Sequence, residues 1–183
     1  MYGSNNSAVV AGGTLACNWL DIGRSNQNGG NGTLTITSGS ATVSGTLSIP
    51  NQFSSNTDPA KIGQGQLYLT GGSISANSIQ IGNGQNGTGG GIGSISITGG
   101  SLIINGDVRV QLQNYIDAEY ITTAAQQSFE LDFDVSNSGK TTLKLTEVIN
   151  GLTSNPYPGD DNIACVVNVN SVRWTGVAGA DSY

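Results

Sequence analysis

Gly32-Thr-Leu-Thr-Ile-Thr-Ser-Gly-Ser40 returns as Gly65-Gln-Leu-Tyr-Leu-Thr-Gly-Gly-Ser73 and again as Gly93-Ser-Ile-Ser-Ile-Thr-Gly-Gly-Ser101. A phrase repeated at near-constant spacing marks stacked supersecondary units. Each phrase is followed by a second apolar pair. Leu34 and Ile36 lead to Leu47 and Ile49, 13 residues on, and Leu67 and Leu69 lead to Ile79 and Ile81, 12 on. Ile95 and Ile97 lead to Val108 and Val110, again 13 on. An incomplete earlier copy has Ala8 and Val10, the pair Gly12-Gly13, then Leu20 and Ile22. Within each phrase apolar residues alternate with Thr, Ser, Gln or Arg, the period of a strand with one buried face.

Copy-to-copy distances of 33 residues (Leu34 to Leu67) and 28 (Leu67 to Ile95) suit one coil of a β-helix per copy. The connections 23–31, 51–59 and 82–91 are rich in Gly and Asn, with Asn-Gly steps at Asn28, Asn31, Asn83, Asn86 and Asn105. Such steps reach positive φ at low cost and mark tight turns. The Gly-Gly after each first strand reads as a sharp corner.

The repeat ends at Val110. Leu112, Tyr115, Ile116 and Tyr120 then fall at the spacing of a short amphipathic helix. Phe129, Leu131, Phe133 and Val135 alternate with Glu130, Asp132 and Asp134. Asn137-Ser-Gly-Lys140 reads as a hairpin turn into a strand over 141–148, 156–161 as a loop, and Ile163, Cys165, Val167 and Val169 as a last strand. The expected fold is therefore all-β: a right-handed parallel β-helix over 1–110, and over 111–183 a helix, an antiparallel cap and a tail. Solenoids need such a cap, because an open coil exposes unpaired backbone and apolar core.

Composition narrows the function. The chain has 28 Gly, 10% charged residues, no His and a net charge of −6. Nucleic acid and anionic membranes attract basic surfaces, so neither is an expected partner. No segment is long enough to span a membrane. Val9, Val10 and Ala11 are too short an apolar run for a secretory signal, so an exported chain has had its signal removed or left out. Cys17 and Cys165 either pair as a disulfide, which needs the last strand to fold back along the stack, or stay as two buried free thiols.

The runs Leu20-Asp-Ile-Gly23, Gly32-Thr-Leu-Thr-Ile-Thr37, Ile79-Gln-Ile-Gly82 and Gly93-Ser-Ile-Ser-Ile-Thr-Gly-Gly100 resemble the glycine-rich β-helical repeats of exported bacterial surface proteins. These are the repeats of autotransporter passengers and of proteins bearing exosortase (PEP-CTERM) sorting tails. Gly106-Asp-Val, Asn114-Tyr-Ile-Asp117, Tyr120-Ile-Thr122 and Gly139-Lys-Thr-Thr-Leu143 look like the segment that follows such repeats, so the likeness covers roughly residues 8–145. No sorting tail or membrane anchor occurs in these 183 residues. The resemblance implies export and a surface or matrix role, and it carries no catalytic residue over to this chain.

Several motifs invite a chemical reading. Gly82-Asn-Gly-Gln-Asn-Gly87 matches a dinucleotide fingerprint, but a strand follows it where the pyrophosphate would need a helix N-terminus. Gly29-Gly-Asn-Gly32 opens like a calcium nonapeptide, yet Leu34 stands where that motif needs Asp. Asp132, Asp134, Asp160 and Asp161 are the calcium candidates. With Glu130 the first two also read as an outward acidic face that protects an edge strand. Asp107 and Arg109, expected on one strand face with Asp21 some coils below, form a thin polysaccharide-cleaving constellation; a glycosidase wants two carboxylates across a cleft. Thr33, Thr35 and Thr37 suggest an ice-binding row that Gln66 and Tyr68 interrupt.

The expected role is a non-catalytic, cofactor-free extracellular structural subunit that self-associates head to tail into fibres. Its assembly residues are Ala8, Val9 and Val10 at one end and Trp174, Val177 and Tyr183 in the tail, which would add as a strand. The alternative is a carbohydrate-binding module or adhesin using Trp19 and Tyr68. A polysaccharide lyase or hydrolase comes third.

Overall fold

The computed structural model describes residues 5–24, 29–50, 62–82, 91–125, 127–147, 163–168 and 171–176. The chain is a β-solenoid of about three turns, with one short helix among the described residues. Its strands are β1 (Asn6–Cys17), β2 (Leu20–Asp21), β3 (Asn31–Ile49), β4 (Gln64–Ile81) and β5 (Ile92–Asn105). Then follow α1 (Arg109–Asp117), β6 (Ile121–Thr123), β7 (Gln127–Phe133), β8 (Lys140–Glu147), β9 (Ile163–Asn168) and β10 (Ser171–Gly176). Contacts group the chain into two compact units, Met1–Thr146 and Glu147–Tyr183. In the second unit β9 and β10 pair antiparallel with each other.

β1, β3, β4 and β5 stack in parallel, and the sheet then runs on to β8 and β7. The register is the one the repeated phrase dictates. Leu34 lies on Leu67 and Leu67 on Ile95, while Ile36 lies on Leu69 and Leu69 on Ile97. All six are at most 4% exposed, so like side chains form continuous columns inside the coil. Each such burial contributes about 1.5–3 kcal/mol.

The coil has three walls, one more than the two phrases per repeat indicate. The added wall carries the columns Ala41–Ile74–Leu102 and Val43–Ala76–Ile104, also buried. Between the first and second walls the chain turns at Gly39, Gly72 and Gly100, with φ of 79°, 66° and 77°. A Cβ on Gly72 would overlap the Gly39 carbonyl, and one on Gly100 the Gly72 carbonyl. Backbone proximity as well as backbone conformation therefore excludes side chains from this corner.

One end of the ladder is closed differently on each wall. On the first, β6 adds in parallel to β5, with Ile121 opposite Ile95. On the second, β8 adds antiparallel, with Leu143 opposite Leu102, and β7 follows it as the other arm of a hairpin. The third wall corrects the sequence reading. Val108 and Val110 do not continue as a strand; Gly106 turns the chain at φ 77° and α1 starts at Arg109. Val110 is 76% exposed, whereas Leu112 is fully buried. The helical spacing of Leu112, Tyr115 and Ile116 outweighs a two-residue alternation, because it places three apolar side chains against the core.

Side chains of α1 then stand in for the missing strand. Gln111 Nε2 donates to the Ile79 carbonyl at 3.0 Å and to the Tyr115 hydroxyl at 3.2 Å, and that hydroxyl accepts from Ile81 N–H at 3.4 Å. Buried Thr141 secures the entry to the helix: its hydroxyl donates to Gly106 O (2.8 Å) and accepts from Val108 N–H (2.9 Å). The cap reading is corrected in one further respect. The antiparallel closure consists of β7 and β8, and β9 belongs to a separate two-stranded sheet.

Gln111→Ala should lower unfolding free energy by about 1–3 kcal/mol, because it leaves a half-buried ladder carbonyl without a donor. Gln113→Ala, which loses only an exposed bond to Asp117, should change it by less than about 0.5 kcal/mol. Urea titrations of both variants compare the two. Equal losses would mean that α1 does not seal the third wall.

Candidate functional site: the open first coil

The opposite end of the ladder has no such closure. β1 is the outermost strand of the sheet and has β3 on one side; on its other side no strand pairs with it among the described residues. Val9 is 64% exposed. Val10, Leu15, Cys17 and Leu20 point into the coil but are only partly buried, and Ala8 is exposed. Their register partners one coil further on, Ile36, Ala41, Val43, Leu47 and Leu34, are all buried. The first coil is thus a mouth whose apolar lining has lost the layer that covers it elsewhere. A depression of about 470 Å³ opens there, with Ala8, Leu15 and Leu20 on its floor and Trp19, Asp21 and Arg24 on its rim.

The proposed assembly residues divide accordingly. Ala8, Val9 and Val10 lie together on β1, as the sequence reading placed them. Trp174 lies on β10, its backbone in register with Cys165. Val177 and Tyr183 lie outside the described residues. Cys17 forms no disulfide, which leaves the free-thiol reading for it. Partial burial holds its thiol pKa above the ordinary value, so it is a poor nucleophile.

Trp19 and Tyr68 occupy different walls. Trp19 is 70% exposed at the corner before the third wall, its indole laid against Gly45, where a Cβ would fall 2.8 Å from Nε1. Tyr68 stands on the outer face of the first wall, in register with Thr35 and Ser96, its hydroxyl donating to Gln66 Oε1 at 3.1 Å. One sugar chain lying along a single wall therefore meets one ring or the other. The threonine row is likewise mixed: Thr33 aligns with Gln66 and Ser94. Thr37 and Thr70 spend their hydroxyls on the carbonyls of Val10 and Ile36 in the preceding coil.

The acidic candidates are engaged in turn and edge structure. Asp134 has left the strand at φ 65°, which corrects its placement on one face with Glu130 and Asp132; its carboxylate accepts from Gly139 N–H (2.7 Å) and the Ser138 hydroxyl (3.3 Å). Asp132 accepts from Ser136 N–H (3.0 Å) and the Ser136 hydroxyl (2.6 Å). Lys144 bridges Glu130 at 3.3 Å and Asp132 at 3.6 Å across the hairpin. Asp160 and Asp161 lie outside the described residues, and among the described ones no three His, Cys, Asp or Glu side chains converge as a metal site.

Asp107 and Arg109 are likewise not on one strand. Arg109 opens α1 and grips Asp107 through Nε and one terminal nitrogen, both at 2.9 Å, while its guanidinium sits 5.8 Å from the Phe133 ring centroid. That grip lowers the Asp107 pKa and raises that of Arg109. Asp21 pairs instead with Arg24 at 3.5 Å, in the first coil, at the opposite end of the ladder. Asp21 is therefore not set across a cleft from Asp107 and Arg109. In Gly82–Gly87, only Gly82 is among the described residues.

Sequence reasoning located the exposed edge but not the rim. Arg24 belongs to the rim, and Leu15 and Cys17 face into the first coil; the signal for the latter two is the Leu15-x-Cys17 alternation, the first-coil counterpart of Ala41-x-Val43. With this geometry established, comparison with known proteins returns no matching family model, curated protein or solved structure. Among the described residues no helix is long and apolar enough to cross a membrane.

The two bonds from Ser136, opposed by partial desolvation and helped by the attraction of Lys144, hold the Asp132 pKa below its ordinary value near 3.8. A depressed carboxylate stabilises the folded state fully above its unfolded pKa, and the contribution disappears as pH falls through the folded value. Thermal midpoints should therefore drop on acidification below about pH 4, and Asp132→Asn should flatten that part of the curve while lowering the plateau at neutral pH. An unaltered acid limb in Asp132→Asn would remove Asp132 from the hairpin's stability.

Proposed function

We propose that this chain is a non-catalytic structural module of an exported surface or matrix assembly, joined to its neighbour through the first coil. One observation carries the reading: each wall of the last coil is covered by a further element, whereas among the described residues no strand covers β1 at the other end. Exposed backbone donors and acceptors in a row are a template for strand addition, and natural edges are usually blunted by charge, Pro or a covering element. Asn6–Cys17 contains no charged residue and no Pro, and no strand among the described residues covers it. Catalysis finds little support, since Asp107 is held by Arg109, Asp132 by Ser136 and Lys144, and Asp134 by the turn at Gly139. The likeness of the repeats to those of exported bacterial surface proteins supports export.

A second reading, a carbohydrate-binding module, has one observation in its favour. Trp19 presents an open ring beside Asp21 and Arg24 at the mouth, and a ring with nearby hydrogen-bonding groups suits a sugar face.

Light scattering on the full chain separates these. The structural reading expects a mass above the monomer that falls on dilution and is lost when Met1–Val10 are deleted. A monomer at every concentration, together with retention on insoluble polysaccharide that Trp19→Ala abolishes, would replace it with the second reading.

A further inference from the structure

We infer that the occupant of the open first coil is a second copy of this chain, turned head to head about a two-fold axis, so that association stops at a dimer. The inference rests on the reading of the first coil as an assembly surface and adds its partner and polarity.

Charge is the first argument. Residues 1–105 carry Asp21 and Asp58 against Arg24 and Lys61, so they are formally neutral, and the whole net charge of −6 resides in 106–183. Within the first compact unit the acidic excess falls in 106–146, where Asp107, Asp117, Glu119, Glu130, Asp132 and Asp134 outnumber Arg109, Lys140 and Lys144, so two mouths can meet without net repulsion and with that excess at the far end of each ladder. A head-to-tail contact would set β1 against the cap, where Glu130, Asp132 and Lys144 line the β7–β8 hairpin. Burying that uncharged strand against ionised groups costs desolvation that nothing on β1 offsets, because Asn6–Cys17 contains no charged residue.

Closure is the second argument. On the third wall the ladder positions of Ile79 and Ile81 are already taken by Gln111 and Tyr115. An incoming strand finds no vacant row there, and on the other two walls the outer edges are the three-residue β6 and the charged hairpin arm β7, so the cap is a poor acceptor. The mouth is a good one for its own kind. A two-fold perpendicular to the coil axis reverses strand direction, so β1 meets the partner's β1 antiparallel, a pairing that needs no crossover. The layer missing over Ala8, Val10, Leu15 and Leu20 is supplied by the same residues of the mate. Such an isologous contact uses one patch twice and is self-limiting.

Sedimentation velocity under reducing conditions across a dilution series tests this on the full chain. Expected is a monomer–dimer equilibrium with no larger species. Val9→Lys places like charges near one another across the two-fold and should weaken dimerisation about tenfold or more. The site is exposed, and circular dichroism checks that the variant stays folded. Glu130→Lys, on the cap, should leave the dimer unchanged. Indefinite polymers, or a dimer lost in Glu130→Lys, would show head-to-tail contact and overturn the inference while the assembly reading stands. A dimer indifferent to Val9→Lys would move the interface away from the mouth. A monomer throughout would remove both.

Discussion

The backbone ladder between coils is the interaction on which everything else in this chain depends. Each strand of the stack satisfies its polar backbone only if another strand, or a substitute, lies on both sides. Inside the stack the in-register columns from Leu34 to Ile97 meet this requirement by repetition. At the last coil repetition stops, and three different devices replace it: a short parallel strand, an antiparallel hairpin, and a helix whose Gln111 and Tyr115 act as side-chain surrogates for a strand. At the first coil the requirement is not met among the described residues. The polarity of the molecule, and its proposed role, follow from that difference.

The apolar alternation made the coils legible in the sequence, because a period of two with Gly-Gly corners has few other structural solutions. The middle wall was harder to see. Its columns use Ala41, Ala76 and Cys17, whose small side chains break the Leu/Ile signal, although the alternation itself is present. The start of α1 was obscured for a different reason. Val108 and Val110 imitate a strand phrase, and only the burial of Leu112 decides in favour of the helix. Local pattern identifies candidates, and the amount of apolar surface each option buries chooses between them.

The same contrast holds for the chemistry. Acidic residues clustered in sequence looked like a ligand set, yet Asp132 and Asp134 are consumed by the turn they build, and Asp107 by the guanidinium that starts the helix. Strand alternation places Glu130, Asp132 and Asp134 on one face only while the strand lasts, and it ends at Phe133. Where the mouth lies was readable from Ala8–Val10. Its depth and rim were not, since they depend on how Trp19 folds over Gly45 and how Arg24 reaches Asp21.

Hydrogen exchange resolved along the chain, recorded at low and high protein concentration, addresses the central claim that the last coil of the stack is covered by further elements and the first coil is not. Amides of β4, β5 and β8 should exchange slowly at both concentrations, and those of β1 quickly when dilute and slowly when concentrated. Equal protection of β1 and β4 in dilute solution would contradict the account, because it would mean that the first coil is already closed.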